Sequence, residues 1–207
     1  MTYIAEVMKS YKGLVALVDE SFELDPTSKS GRFYILSAVI LPASSLALSR
    51  RELALINGER IWHTTELNHQ RKLDEIHANL GWIEMNVEAC DVYVLKTIET
   101  VTTSRQEMRN VCVEEFFTTI YQDLGVEVFI FDSSNLREIN EQDRRLHRDA
   151  MRAGLLSRRS LLFHCWGSEE PLLGLPDTVA WAFRQEVTRA ESSWTHGLRE
   201  FAKVRLL

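Results

Sequence analysis

The stretch Leu14 to Ser21, Leu-Val-Ala-Leu-Val-Asp-Glu-Ser, is an apolar run that ends in two acids. Because five consecutive apolar residues do not alternate with polar ones, both faces of the segment must be covered, as in a central strand between layers of helices. Successive strand side chains point to opposite faces, so Asp19 shares a face with Leu17 and Glu20 shares one with Val18. One of the two acids is expected to face a site; the alternative is an exposed strand end.

A β-hairpin is predicted to follow from this strand. Phe22 to Gly31 has the Asp-Pro and Ser-Lys-Ser-Gly composition of a loop, and Phe33 to Leu41 is a second apolar stretch closed by Pro42, most simply antiparallel to the first strand. Further strands are predicted at Glu59 to His63, Asp91 to Ile98, Val126 to Phe131 and Arg159 to Trp166, the last of the chain.

Helices are predicted between and after these strands. The first begins at Ser44 or Ser45 and ends near Asn57-Gly58, and the second runs from Thr64 or Thr65 to Ile83. The next two run from Ser104 to Leu124 and from Asn135 to about Ala153. The last two run from Pro176 or Asp177 through Phe183, and from after Ser192-Ser193 to the end of the chain. A hairpin followed by strand–helix alternation predicts a mixed α/β sheet flanked by helices, in a single domain spanning residues 1–207.

Composition narrows the class of protein. With 207 residues and 45% apolar content the chain can bury one sizeable core, and a net charge of −6 disfavours coating of nucleic acid by bulk electrostatics. Three cysteines without CxxC spacing indicate neither a disulfide framework nor a zinc site. No apolar run approaches a membrane span, so a soluble, unprocessed, cytoplasmic protein is expected, with no membrane partner.

Acidic residues recur where the predicted elements begin or end. The strand ending at Phe131 terminates in Asp132, and adjacent parallel strands would bring it to the same edge as Asp19. Glu66 falls in the first turn of a predicted helix, and Asp177 follows Pro176 at another helix start. All four are hard oxygen ligands. The alternatives are turn capping for the two strand-end acids and ordinary helix-dipole interactions for the other two.

These motifs together resemble the family catalogued as domain of unknown function 3800. The resemblance rests on Val18 to Ser21, the strand that ends at Leu41, the segment from His63 to Leu67, the strand that ends in Asp132, and the segment from Leu173 to Ala182. It implies a ribonuclease H-like fold and an acidic set of Asp19, Glu66, Asp132 and Asp177. The family's late Gln-Leu-Ala-Asp motif is Gly174-Leu175-Pro176-Asp177 here, so the glutamine is missing.

Such a set of acids fits phosphodiester hydrolysis with Mg²⁺ or Mn²⁺, since these ions take carboxylates, waters and substrate phosphate as ligands. The chain is therefore expected to be a metal-dependent nuclease acting on RNA or DNA, with the four acids as catalytic metal ligands. Glu20, Ser21 and His63 are expected as outer-shell or substrate-contacting residues. His63 can act as a general base or phosphate contact, or simply cap or pack at a helix start, and His164 is best explained by core packing.

A basic helix is the second functional candidate. Arg145, Arg148 and Arg152 share a face at i, i+3 and i+7, with Arg144 beside them. They can bind a nucleic-acid backbone, or form a solvated face offset by Glu141, Asp143 and Asp149.

Competing functions remain open at this stage. The main alternative is a catalytically inactive nucleic-acid-binding or protein-interaction domain on the same scaffold. An ATP-using relative would need a glycine-rich loop after the acidic strand, which Glu20-Ser21-Phe22 does not provide, and a glycosidase would not need so many acids. A predicted terminal helix from Trp194 to Leu207 could pair with a copy of itself in a homodimer.

Overall fold

The computed structural model describes residues 10–58, 61–96 and 104–207. Within these residues the strands are β1 (Leu14–Glu23), β2 (Phe33–Pro42), β3 (Ala89–Lys96), β4 (Val128–Asp132), β5 (Leu161–Cys165) and β6 (Ala202–Leu206). They form one sheet of six strands in the order β5-β4-β1-β2-β3-β6. β1 is thus an inner strand, as its unbroken apolar run predicted.

The sheet is mixed. β1 and β2 form the predicted antiparallel hairpin, with Leu14 opposite Pro42 and Glu23 opposite Phe33. β3 pairs antiparallel with β2, whereas β4 pairs parallel with β1, β5 parallel with β4, and β6 parallel with β3. The predicted class, a mixed sheet with an N-terminal hairpin and parallel strands flanked by helices, is confirmed.

Helices cover both faces of this sheet. Those of the described residues are α1 (Leu46–Asn57), α2 (Thr64–His69), α3 (Leu73–Asn86), α4 (Arg105–Leu124), α5 (Arg137–Arg152) and α6 (Gly174–Arg189). α1, α3 and α6 pack on the face of Val15 and Leu17, and α4 and α5 pack on the face of Ala16 and Val18. Burying a Val or Leu side chain contributes about 1.5–3 kcal/mol, so acids are tolerated only where β1 leaves this core.

The helix predicted from Ser104 to Leu124 has both of its expected ends. The Ser104 hydroxyl accepts from the Glu107 amide while the Glu107 carboxylate accepts from the Ser104 amide, forming a capping box. Gly125 ends the helix in the left-handed conformation, with φ 68°. Local sequence alone therefore determines where α4 begins and ends.

Other predicted boundaries were wrong. Residues 61–63 are not a strand. Residues 59–60 and residues 97–98, which complete the strands predicted to His63 and to Ile98, lie outside the described part of the chain, so those parts stay predictions. The helix predicted from Thr64 to Ile83 is two helices, because Arg71 adopts φ 57° and breaks the helical path. Asn135 does not cap α5, whose N-cap position is Leu136 without a side-chain bond.

The largest correction concerns the C-terminal segment. The helix predicted from Trp194 to Leu207 is replaced by two short 3₁₀ turns, Ser192–Trp194 and Leu198–Glu200, and by β6. In β6 the side chains of Ala202 and Val204 pack on the core, while Lys203 and Arg205 bond to Asp123 on the other side. This alternation has the period of a strand. The expected dimer helix is absent, which removes the support for a homodimer.

Candidate active site

Asp19 and Asp132 lie next to each other at one edge of the sheet. β1 and β4 run parallel, and their last paired residues are Val18 and Phe131, so each aspartate is the next residue along its strand. Both side chains point to the face that α6 covers, because they alternate with Val18 and Phe131, which pack on the opposite face. Adjacent strands are about 4.8 Å apart, so the predicted convergence of these two acids is confirmed.

α6 brings Asp177 to the same edge. The buried Ser37 hydroxyl donates to the Pro176 carbonyl oxygen (2.8 Å), and Ser37 is the β2 residue directly opposite Asp19. Asp177 Oδ2 accepts from the Thr64 amide (2.6 Å), which also ties the start of α2 to the site. Three aspartates from widely separated segments therefore meet.

The three carboxyl groups are all in environments that disfavour their charged forms. Burial raises the pKa of Asp19 well above its ordinary value, and the charges of Asp177 and Asp132 raise it further, while Arg109 opposes them. Burial also raises the pKa of Asp132 and of Asp177. The main opposing influence is His63 at Asp132 and the hydrogen bonds from Thr64 at Asp177. Raised carboxyl pKa values in a cleft are typical of functional sites.

His63 lies beside the aspartates. Its exposed ring lines a narrow crevice together with Asp19, Asp132 and Asp177. The same crevice contains Trp62, whose ring lies so close to Gly174 that a Cβ there would collide with the indole. His63 is thus positioned to contact a ligand of the aspartates, which the sequence allowed as one of two alternatives.

Glu66 is not brought to the three aspartates. It lies in the first turn of α2, but its side chain is exposed and accepts from Gln70 Nε2 (3.3 Å), and it lines neither the crevice nor the larger cavity described below. The residue of α2 that reaches the site is Thr64, through its backbone amide. An acid at that helix position is explained by its interaction with the helix dipole.

Glu20 faces away from Asp19, as strand alternation predicted. It forms ion pairs with Arg105 and Arg109 of α4 and accepts from the Tyr34 hydroxyl. Ser21 points to the α6 face, where Arg184 Nη1 donates to its hydroxyl (3.4 Å). Neither residue is free to act as a metal ligand without first losing these partners.

A buried ionic network continues from Glu20 and was missed by the sequence. Arg109 donates to both Asp143 oxygens (2.9 and 2.8 Å) and to the Tyr34 hydroxyl (2.8 Å), and His164 bonds to Asp143 (2.9 Å). Burial alone would raise the pKa of Asp143, but His164 and Arg109 hold it below its ordinary value. The buried His164 is thus a polar partner as well as a core residue.

A cavity of about 370 Å³ joins the acids to the arginines. Three aspartates line it on one side, and Glu20, Arg105 and Arg109 line it on the other. The loop residues Ser133, Ser134 and Asn135, which connect β4 to α5, complete its rim. In the sequence, these two arginines were indicated only by the i, i+4 spacing of Arg105 and Arg109 at a predicted helix start.

The arginines in the middle of α5 are less compensated by acidic residues than the sequence suggested. Glu141 pairs with Arg137, Asp149 pairs with Arg152, and Asp143 is buried against Arg109, so Asp143 does not offset the basic face as one interpretation assumed. Arg144, Arg145 and Arg148 are exposed, and no ion pair among the described residues includes them.

The arginines at the end of α5 lie well away from the aspartates. α5 begins at Arg137, five residues after Asp132, and with a rise of about 1.5 Å per residue Arg152 is about 22 Å further along its axis. Arg148, Arg152 and Arg158 line a separate shallow groove near that far end. They can contact a strand that extends past the aspartates, but not the group bound there.

Comparison with solved structures identifies the fold. The structure is similar to the crystal structure of ribonuclease H2 from Pyrococcus horikoshii OT3, with a TM-score of 0.51 and 13% sequence identity over 90% of this chain and 76% of the other. The chain has a ribonuclease H-like fold. No protein-family model and no curated protein matches the sequence.

Two further findings concern the described residues as a whole. Among the described residues, no group of three or more His, Cys, Asp or Glu side chains is arranged to hold a metal ion. No helix in residues 10–58, 61–96 or 104–207 is long and apolar enough to span a membrane.

Proposed function

We propose that the protein is a divalent-metal-dependent nuclease in which Asp19, Asp132 and Asp177 hold Mg²⁺ or Mn²⁺. The observation that carries the proposal is the convergence of these three aspartates at one edge of a ribonuclease H-like sheet. Burial first, and then the charges of Asp177 and Asp132, raise the pKa of Asp19, and a bound cation would favour its charged form. Membership of the family with domain of unknown function 3800 is proposed on the sequence motifs quoted above, with three of their four acids in the site.

The three aspartates are not a preformed metal cluster among the described residues, but the donor set fits such an ion in its chemistry. Mg²⁺ is usually held by one or two carboxylates together with waters and substrate phosphate, rather than by a closed cage of side chains. Asp19 Oδ1 accepts from the Glu20 amide (2.7 Å) and Asp177 Oδ2 accepts from the Thr64 amide (2.6 Å). Each therefore keeps a second oxygen for a ligand, and the incomplete ligand set leaves room for substrate.

When bound, the ion would lower the pKa of an attacking water and neutralise charge on the scissile phosphate. The chain's own residues supply the rest of the site. The amides of Glu20 and Thr64 fix the orientation of Asp19 and Asp177, Ser37 fixes the start of α6, and His63 lies where it can contact a phosphate oxygen or accept a proton from water.

The test is cleavage of labelled single- and double-stranded RNA and DNA and of an RNA–DNA hybrid, with Mg²⁺, Mn²⁺ or a chelator. We expect cleavage of at least one substrate with metal and none with chelator. Asp132→Asn and Asp177→Asn should each reduce kcat at least a hundredfold, because each removes a charged ligand. Glu66→Gln, whose exposed side chain lies outside the cavity, should retain activity, and Asp149→Asn is a matched surface control.

A second candidate is a nucleic-acid-binding domain without catalytic activity. The exposed arginines of α5 favour it, since they need no metal to bind phosphate. It predicts binding that is insensitive to chelator and to substitution of the aspartates, with no cleavage of any substrate. Metal-dependent cleavage that requires Asp132 would exclude it.

A further inference from the structure

We propose that Arg105 binds a second phosphate group of the substrate, at the end of the cavity opposite Asp19, Asp132 and Asp177. This proposal rests on the nuclease function proposed above. It assigns the substrate as a single nucleic-acid strand, or a nucleotide, with one phosphate at the aspartates and another at the arginine. The phosphate can be a terminal group or part of the backbone, and the experiment below distinguishes the two sources.

Arg105 is held in place with donor capacity to spare. Its Nη2 bonds to Glu20, and its guanidinium carbon lies 4.0 Å from the centre of the Phe22 ring, which fixes the plane of the group. Its Nε is buried and has no hydrogen-bond partner among the described residues. The part of Arg105 that can meet a ligand is the exposed part of its guanidinium, since the side chain lines the cavity and is 26% exposed.

Arg109 does not have this spare capacity. Its nitrogen atoms bond to both oxygens of Asp143, to Tyr34 and to Glu20, and its side chain is only 4% exposed, against 26% for Arg105. Arg109 therefore holds Glu20 in place through their ion pair, and Glu20 in turn orients Arg105 through the second ion pair. This arrangement distinguishes a ligand-contacting arginine from a structural one.

The shape and chemistry of the cavity favour a phosphate of a single strand. A volume of about 370 Å³ is near the lower end of small-molecule sites, which run from roughly 300 to 1,000 Å³, so the cavity itself takes a group of nucleotide size from a strand. The guanidinium fork matches phosphate oxygens in two-pronged hydrogen bonding. A substrate with neighbouring phosphates can thus contact both the aspartates and Arg105.

Binding without turnover is the first arm of the test. A nucleoside 3′,5′-bisphosphate, which has no phosphodiester bond to cleave, is titrated in the presence of Mg²⁺ into wild type, Arg105→Gln, Arg105→Lys and the exposed-helix control Arg51→Gln. We expect a Kd about 10–100-fold weaker for Arg105→Gln, as for loss of a charged hydrogen bond. Arg105→Lys keeps the charge near Glu20 but lacks the fork, and should be intermediate; Arg51→Gln should match wild type. Wild type that does not bind, or folded Arg105 variants that bind equally well, would overturn the proposal.

Cleavage kinetics form the second arm, with linear single strands carrying a 5′-phosphate or a 5′-hydroxyl and with a circular strand. Arg105→Gln should raise KM with little effect on kcat. A terminal phosphate at Arg105 predicts that the substitution abolishes a preference for the 5′-phosphate, whereas a backbone phosphate predicts the same rise in KM for all three substrates. An unchanged KM throughout would contradict both. Wild type that binds the bisphosphate but cleaves nothing would instead contradict the nuclease function alone.

Discussion

Asp19 and Glu20 are neighbours in the chain with opposite electrostatic environments. Glu20 is compensated by Arg105 and Arg109, whereas Asp19 faces Asp132 and Asp177. Strand alternation predicted that the two side chains diverge, and the repeated pattern of a buried strand ending in an acid predicted the pairing of Asp19 with Asp132. The arginine partners were not predictable, because they lie about 85 residues further along the chain and no local pattern encodes that contact.

Asp19→Asn should stabilise the metal-free protein. Asparagine keeps the oxygen that accepts from the Glu20 amide but removes a charge that burial and two aspartates disfavour. We expect the free energy of unfolding at pH 7 to rise by about 1–2 kcal/mol in urea titrations with chelator. Because the pKa of Asp19 is raised in the folded state, the advantage should be largest above that pKa and should shrink as pH falls toward 4. The surface variant Asp149→Asn is the control. A loss of stability in Asp19→Asn that equals or exceeds the loss in Asp149→Asn would contradict this prediction.

His147 should lower the stability of the folded protein in acid, for a different reason. Burial, with a smaller effect of Arg148, lowers its pKa to about 4, and its ring bonds to Ser160 (2.8 Å). The unfolded chain takes up this proton near pH 6.5 and the folded chain only near 4, so stability is lost as pH falls through that window, by about 1–2 kcal/mol at pH 5. His147→Gln should reduce the loss between pH 7 and pH 5 in urea titrations. Equal losses in both proteins would exclude this role for His147.

At the level of secondary structure, the start of α6 determines whether Asp177 reaches the strand-end aspartates. The sequence predicted a helix near Pro176 but not its anchor, since the bond from Ser37 to the Pro176 carbonyl joins residues 139 apart. The split between α2 and α3 and the strand β6 were missed for a related reason. β6 is specified by pairing with β3 and packing on the core, which outweigh a short segment's own preference.

Ser37→Ala should affect both stability and metal binding. Loss of the hydroxyl leaves the buried Pro176 carbonyl without this donor, which should lower the free energy of unfolding by about 1–3 kcal/mol. Because Asp177 follows Pro176, Mn²⁺ affinity should fall as well. Ser49→Ala is the control: its buried hydroxyl donates to the Ser45 carbonyl (3.0 Å) far from the site. Both variants should lose stability, and Mn²⁺ titration should separate them; equal Mn²⁺ affinities would rule out the anchoring role.

Considered as a whole, the molecule separates its acidic centre from its basic helix. The mixed sheet could be predicted because the hairpin and the later strand–helix alternation allow few topologies. The position of the α5 arginines could not, since it depends on how α5 packs back along the sheet from Asp132. The single-domain organisation and the cytoplasmic location stay predictions.

The α5 arginines should govern affinity for long strands. Changing Arg145, Arg148 and Arg152 to Glu should weaken binding of a long single strand and flatten its salt dependence by about 0.7 in log–log slope for each lost phosphate contact. Cleavage of a very short substrate should be unaffected, because Arg148 and Arg152 lie toward the far end of α5 and Arg145 lies at its middle, about 12 Å along the axis from Arg137. Arg51→Glu on α1 is the control. A long strand bound as tightly as by wild type, with the same salt slope, would remove the helix from the interface.

Mn²⁺ binding decides the central claim that Asp19, Asp132 and Asp177 form a cation site. We expect calorimetric titration to detect binding to wild type and to the Glu66→Gln variant. At ten times its Kd the ion should raise Tm by about 3–6 °C. Asp19→Asn, Asp132→Asn and Asp177→Asn should each bind more weakly and show a smaller rise. A wild-type protein whose Tm and calorimetric signal are unchanged at millimolar Mn²⁺ would contradict the account.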